Sequence, residues 1–252
     1  MDRTAFKIPF TERRVPKWPC PTCSAGQLQL LPKSLMQQEK PESRDHSHEA
    51  WEPDWIRYVY SCIFICSNSV CREMVASVGT GRVDYNEYED EEHGWVQATE
   101  DLFTPSFFQP PLKILDIPAD CPTDVAVHLN ESFALFFADP GAALNCARIA
   151  VEAVLTDLGI KRFTKVKGVR RPIYLHQRIA LLPPKHSHLI ELLTAIKWLG
   201  NAGSHAGSDV SSDDVLLAYD LVEHVLAQIY DNKAKKLSAS AKKVNKKKGP
   251  VK

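Results

Sequence analysis

This sequence contains no run of 18 consecutive apolar residues, which argues against a membrane-spanning helix. Its opening residues, Met1-Asp2-Arg3-Thr4-Ala5-Phe6-Lys7, lack the charged-then-apolar layout of a secretion signal, so a cytoplasmic protein with no membrane association is expected. Also missing are a P-loop, a nucleophile elbow, a dinucleotide fingerprint and a catalytic zinc motif; kinase, hydrolase and oxidoreductase readings therefore have little support. In a reducing compartment the seven cysteines are better read as metal ligands or buried thiols than as a disulfide framework.

Acid is absent from the last twenty residues. Residues 233–252 carry nine lysines and no aspartate or glutamate, although the whole chain balances 31 basic against 31 acidic residues. Residues 1–232 thus hold 22 basic and 31 acidic residues, and a basic arm follows an acidic body. Apolar residues make up 44% and charged residues 25% of the chain, ordinary values for a globular protein with a core of good size.

The cysteines fall into pairs. Cys20-Pro21-Thr22-Cys23 turns two sulfurs towards one point, and Cys66-x4-Cys71 supplies a second pair. Four thiolates suit a structural zinc with a closed tetrahedral shell. Residues 56–66 are rich in β-branched and aromatic side chains and read as the strand that delivers the second pair, so together they make a zinc ribbon. Cys62 shares a strand face with Cys66 and competes as a ligand, as do His46 and His48 in a polar insertion. A metal-free hairpin with buried thiols is the alternative, and the βαβ context of a thioredoxin-like redox site is lacking.

Residues 84–101 are acidic, with no EF-hand spacing, and read as solvated strand and loop surface. Five prolines within residues 102–122 exclude a helix there and mark a linker. Beyond it the apolar period becomes helical. A first helix covers residues 123–138. A second follows the Asp139-Pro140 start and ends at Gly159, with Leu144, Ala147, Val151, Val154, Leu155 and Leu158 as its stripe and Arg148 and Glu152 four apart. Residues 161–171 form a loop with six cations: Lys161, Arg162, Lys165, Lys167, Arg170 and Arg171. This loop either grips a phosphate backbone or balances the acidic body. Helical stretches follow at 174–182 and 187–199, and Ser211-Ser212-Asp213-Asp214 caps a last helix to about Tyr230. Four main helices with modest loops imply an antiparallel bundle. Between the last two lies Ile196-Lys197-Trp198-Leu199-Gly200-Asn201-Ala202-Gly203-Ser204-His205, where glycines interrupt a helical pattern and require a close backbone approach or a helix end.

Several features run in an order that resembles the domain of unknown function 4145 family, which is similar to the HEPN helical-bundle superfamily. They are the Cys20-x2-Cys23 pair, Ile117-Pro118, Ala147-Arg148-Ile149-Ala150-Val151-Glu152, His176-Gln177-Arg178-Ile179-Ala180-Leu181-Leu182 and the glycine segment. The resemblance implies a mainly α fold, a HEPN-like antiparallel helical bundle preceded by a small β zinc-ribbon module. Residues 1–104 would be the ribbon module with its insertion and acidic segment, 105–122 the linker, 123–232 the bundle and 233–252 a disordered lysine-rich tail. It also implies a homodimer and a role in prokaryotic defence or stress response.

Some HEPN domains are metal-independent ribonucleases that use an arginine, a following polar residue and a histidine. By resemblance His205 takes the place of the histidine and Asn201 that of the polar residue, whereas Gly200 stands where the arginine is expected; Lys197 and Arg148 are the nearest cations. Cleavage through the RNA 2′-hydroxyl needs a proton-transfer group and a cation for the phosphate. Lysine is no equivalent of arginine in that second role. Alternatively, Asn201 satisfies backbone at the helix break, His205 donates to Glu152, and Arg148 and Glu152 form a structural ion pair. Two functions follow: a nucleic-acid-binding or protein-docking module that uses the basic loop and tail on RNA or DNA, and a ribonuclease built on His205, Asn201, Arg148, Glu152 and Lys197.

Overall fold

The computed structural model describes residues 3–90, 94–204, 209–231 and 233–250. Helix makes up 40% and strand 25% of it, which overturns the expectation of a mainly α fold with a small ribbon. The chain divides into two units. The first holds Met1–Ile114, Asn130–Ala143 and Asp209–Val215, and the second Leu115–Leu129, Leu144–Ser208 and Leu216–Lys252.

The first unit is built on a curled antiparallel sheet, a half-barrel. Strands β1 (Leu28–Leu30) and β2 (Met36–Glu39) both lie along β3 (Arg57–Cys66), which pairs with β4 (Met74–Asp90), and β4 pairs with β5 (Gly94–Gln109). Two features hid the size of this sheet. Glutamate and aspartate, poor strand formers, fill the β4–β5 ribbon, whose register runs unbroken from Gly79↔Pro105 to Asp90↔Gly94. Pro105 also lies inside β5, where a proline normally argues against a strand. Here it sits on the edge of the sheet, next to a register shift at Val78/Gly79, the setting in which a missing N–H does least harm. The expected linker therefore begins as strand, since residues 105–109 belong to β5.

Alternation along β3 buries Tyr60, Cys62, Phe64 and Cys66 on one face. The N-terminal segment lies against that face: the Phe10 ring is 5.2 Å from each of Tyr60, Phe64 and Phe103 and 5.9 Å from Trp18. Phe10 also bridges to Phe103 through its backbone. The Trp18 indole donates to the carbonyl of Ala5 at 2.8 Å, so this buried aromatic core leaves its polar atom satisfied.

The helices are α1 (Thr123–Leu135), α2 (Pro140–Asp157), α3 (Leu175–Ala180), α4 (Ile190–Ala202), α5 (Ser212–Tyr230) and α6 (Lys233–Lys247). Asp139 caps α2 by accepting the Ala142 N–H at 2.8 Å. In the second unit the expected stripe of α2 is buried at Leu144, Ala147, Val151, Val154 and Leu155, together with Leu193 and Ile196 of α4 and Leu216, Tyr219, Val222, Val225 and Leu226 of α5. The basic loop is instead a hairpin, β6 (Phe163–Val166) and β7 (Val169–Pro172). Residues 233–247, expected to be disordered, are helical, in keeping with a composition of lysine and alanine, both good helix formers.

Candidate metal centre and basic hairpin

Two knuckles meet at one end of the sheet. Pairing of Leu28 with Cys66 sets the start of β1 beside the end of β3, and the Pro19↔Gln27 bridge closes the first knuckle onto it. The second closes through the Cys66 N–H, which donates to the carbonyl of Glu73 at 2.9 Å. In both, the residue after the second cysteine takes a left-handed conformation, Ser24 at φ 54° and Arg72 at φ 51°, turning the backbone amides around the sulfurs.

The sulfurs of Cys20, Cys23, Cys66 and Cys71 lie within 4.8 Å of one another. Across the knuckles Cys20 and Cys71 are 3.8 Å apart and Cys23 and Cys66 3.6 Å. A tetrahedral ion with metal–sulfur bonds of about 2.3 Å requires sulfur–sulfur edges of about 3.8 Å, so the four thiols fit a metal ion. The Gly26 N–H donates to Cys23 Sγ and the Asn68 N–H to Cys66 Sγ, each at 3.4 Å. The bond from Gly26 is the main reason that the Cys23 thiol is held down to about 6, while burial pushes Cys66 up to about 12. Gly26 has no alternative here: a Cβ at this position would run into Cys66 Sγ and the Asn68 backbone nitrogen.

The competing ligands lie elsewhere. Cys62 is four residues up β3, about 13 Å along the strand, in the aromatic core, where burial raises its thiol to about 12. His46 bonds Glu39 at 3.0 Å and packs at a tilt against Trp51, and His48 accepts the Ala50 N–H and packs at a tilt against Trp55.

In the second unit, α4 rides directly on α2. A Cβ at Gly200 would lie 2.5 Å from Arg148 Cβ, so the position where the resemblance expects an arginine is filled by Arg148 itself. The Arg148 guanidinium pairs with Glu152 at 2.8 Å and donates to Asn145 Oδ1 at 3.0 Å, and the Ser204 hydroxyl donates to the same oxygen at 3.2 Å. Glu152 also lies 3.8 Å from Arg178, which is 1% exposed. Arg178 donates to Thr156 and to the Ile160 carbonyl. Burial lowers its pKa, against the pull of Glu152. Arg178, Asn145 and Ser204 are the site residues that sequence reasoning missed; an arginine within an apolar helical run was the available signal. Lys197 is buried, with its ammonium 3.4 Å from the Trp198 ring centre. Asn201 is half-buried in the last turn of α4, and His205 lies outside the described residues.

Lys161, Arg162, Lys165, Lys167, Arg170 and Arg171 all lie on or beside the hairpin. Lys167 at φ 50° and Gly168 at φ 80° form its two-residue turn, the mirror-image type that favours glycine. All eight strand residues are exposed, and the Arg170 guanidinium lies 3.7 Å above the Phe163 ring. No acidic residue occurs between Asp157 and Glu191.

Two family models match the chain, neither over half its length. Residues 8–108 match Domain of unknown function (DUF8608), and residues 130–247 match Domain of unknown function (DUF4145). The second is the family that the ordered motifs resemble; the first falls on the sheet and the cysteine centre. No curated protein and no solved structure matches the chain. No helix among the described residues is long and apolar enough to cross a membrane.

Proposed function

We propose that the protein binds nucleic acid through the β6–β7 hairpin and the lysine-rich residues 233–252, and that its four-cysteine centre holds a structural zinc. The observation that carries this reading is the hairpin: six cations on or beside a ribbon whose strand residues are all exposed, in a stretch without acid. Such a surface attracts phosphate by charge and counterion release. Sulfur-only ligation suits zinc and leaves no open position for substrate, so the ion would fix the knuckles and take no part in chemistry. A docking role for the helices, homodimerisation and a place in defence or stress response accompany this reading on the resemblance alone.

A second reading, a metal-independent ribonuclease using His205 and Asn201, draws on the polar cluster around Arg148. Arg148 reaches the space that the expected arginine would take, but its guanidinium is engaged by Glu152 and Asn145, which suits a structural pair.

The test measures binding of labelled RNA and DNA by anisotropy, with RNA integrity followed in EDTA. Removal of residues 233–252, or alanine at the six hairpin cations, is expected to weaken binding about tenfold or more, whereas His205→Ala leaves it unchanged and the RNA intact. Cleavage by the wild type that His205→Ala abolishes at unchanged affinity would establish the ribonuclease instead.

A further inference from the structure

We infer that the β6–β7 hairpin is a groove reader whose ligand is double-stranded B-form DNA, entered from the major groove. The inference rests on the nucleic-acid reading above and names its substrate class. A loop with six cations would wrap a phosphate chain of any kind. A ribbon with a fixed register makes a narrower demand.

The register sets what each face carries. Lys165 lies opposite Arg170, and Phe163 opposite Pro172, on one face; Thr164 opposite Arg171, and Val166 opposite Val169, on the other. Cations therefore stand on both faces, with Lys167 at the tip and Lys161 and Arg162 at the base, which the Ile173 N–H closes by donating to the Arg162 carbonyl at 2.9 Å. Had the ribbon been laid against its own unit, one face would be buried. Both are exposed, and among the described residues the pair joins no further strand.

A surface charged on two sides fits between two walls of phosphate better than against one. The major groove of B-form DNA, about 12 Å wide, admits a two-stranded ribbon. The four residues of each strand reach about 14 Å, enough to bring the turn to the groove floor while the base stays at the phosphates. Beside the turn, Val166 and Val169 are 52% and 54% exposed. Apolar groups at the tip of a basic ribbon have an obvious contact in the groove, the thymine methyl group. Stacking of Arg170 on Phe163 holds one guanidinium in place before binding. The A-form major groove of duplex RNA is too narrow and deep for such an element, so shape as well as charge selects the ligand.

The test uses the full chain with three labelled probes of one sequence: duplex DNA of about 24 base pairs, the matching duplex RNA and a single DNA strand. Duplex DNA is expected to bind about tenfold or more tightly than duplex RNA, and to be protected from dimethyl sulfate at guanine N7, on the major-groove edge. Gly168→Val keeps all six cations but strains the turn; with its fold checked by circular dichroism, it is expected to lose the preference for duplex DNA and keep salt-sensitive binding. Equal affinity for the two duplexes, tighter binding of RNA or the single strand, or unprotected N7 on the wild-type complex overturns the inference. In those cases the broader reading survives if alanine at the six cations still weakens binding. Binding of none of the probes, or binding indifferent to those alanines, overturns both.

Discussion

Cys62 and Cys66 are four places apart on one strand face, and their surroundings separate them. Cys66 ends the strand beside three other sulfurs; Cys62 is buried on the same face between Tyr60 and Phe64. Alternation alone left both as ligands, because period two fixes the face and not the position along it. Cys20→Ser, Cys23→Ser, Cys66→Ser and Cys71→Ser should each lower zinc bound per chain, read by elemental analysis, while Cys62→Ser leaves it unchanged. A metal-binding Cys62 would contradict the assignment. Acid should also release the ion. Cys23, held down to about 6, is already a thiolate at neutral pH, whereas Cys66, pushed up to about 12, keeps its proton unless metal displaces it. Affinity therefore falls as pH falls, and zinc release to a chromogenic chelator should rise from pH 7 to pH 5.

At the scale of elements, the helices before the lysine-rich tail were legible, and α6 and most of the strands were not. The Asp139-Pro140 start, the stripe of α2 and the Ser211-Asp214 start of α5 are all local signals, and the elements begin where those signals stand. Strand β5 and the hairpin depend on their neighbours. Pro105 is tolerated because β5 is an edge, and six cations in eleven residues resemble a loop until register pairs them. The glycines in and after α4 required either a close backbone approach or a helix end, and packing shows that at Gly200 it is a close approach, by Arg148. Gly200→Ala should lower stability by about 1–3 kcal/mol through overpacking, seen as a reduced Tm; an unchanged Tm would mean that α2 and α4 are not in such contact. Ser211→Ala should cost about 1 kcal/mol as a lost cap. Hydrogen bonds from the Ser211 hydroxyl and then its N–H hold the Asp214 carboxyl below the usual carboxylate range. A lowered carboxylate pKa stabilises above the ordinary value of about 3.9 and loses that contribution as pH falls through the folded value. The penalty of Ser211→Ala should therefore be full at pH 7 and shrink below about pH 4, as measured by denaturant unfolding.

At the scale of the whole chain, zero net charge conceals a separation by sequence. The last twenty residues carry nine lysines and the first 232 an acidic excess, with the hairpin as a second basic island in a stretch free of acid. Composition exposed the tail and the cations of residues 161–171, but neither the ribbon that carries them, whose strands are crowded with cations on either side of the Lys167-Gly168 turn, nor the half-barrel, whose pairings run far from any turn signal. The polar cluster around Arg148 was legible in part: the i, i+4 pair with Glu152 formed as its spacing suggested, while Arg178 comes from another helix. The most direct measurement is the salt dependence of duplex DNA affinity for the full zinc-loaded chain, beside the variant with alanine at Lys161, Arg162, Lys165, Lys167, Arg170 and Arg171. The logarithm of affinity should fall linearly with the logarithm of salt concentration, with a slope of about −0.9 per phosphate contacted, and the variant should be shallower by roughly 3 to 5. Identical slopes for the two proteins, or no measurable affinity in the wild type, would contradict the assignment of this surface to nucleic acid.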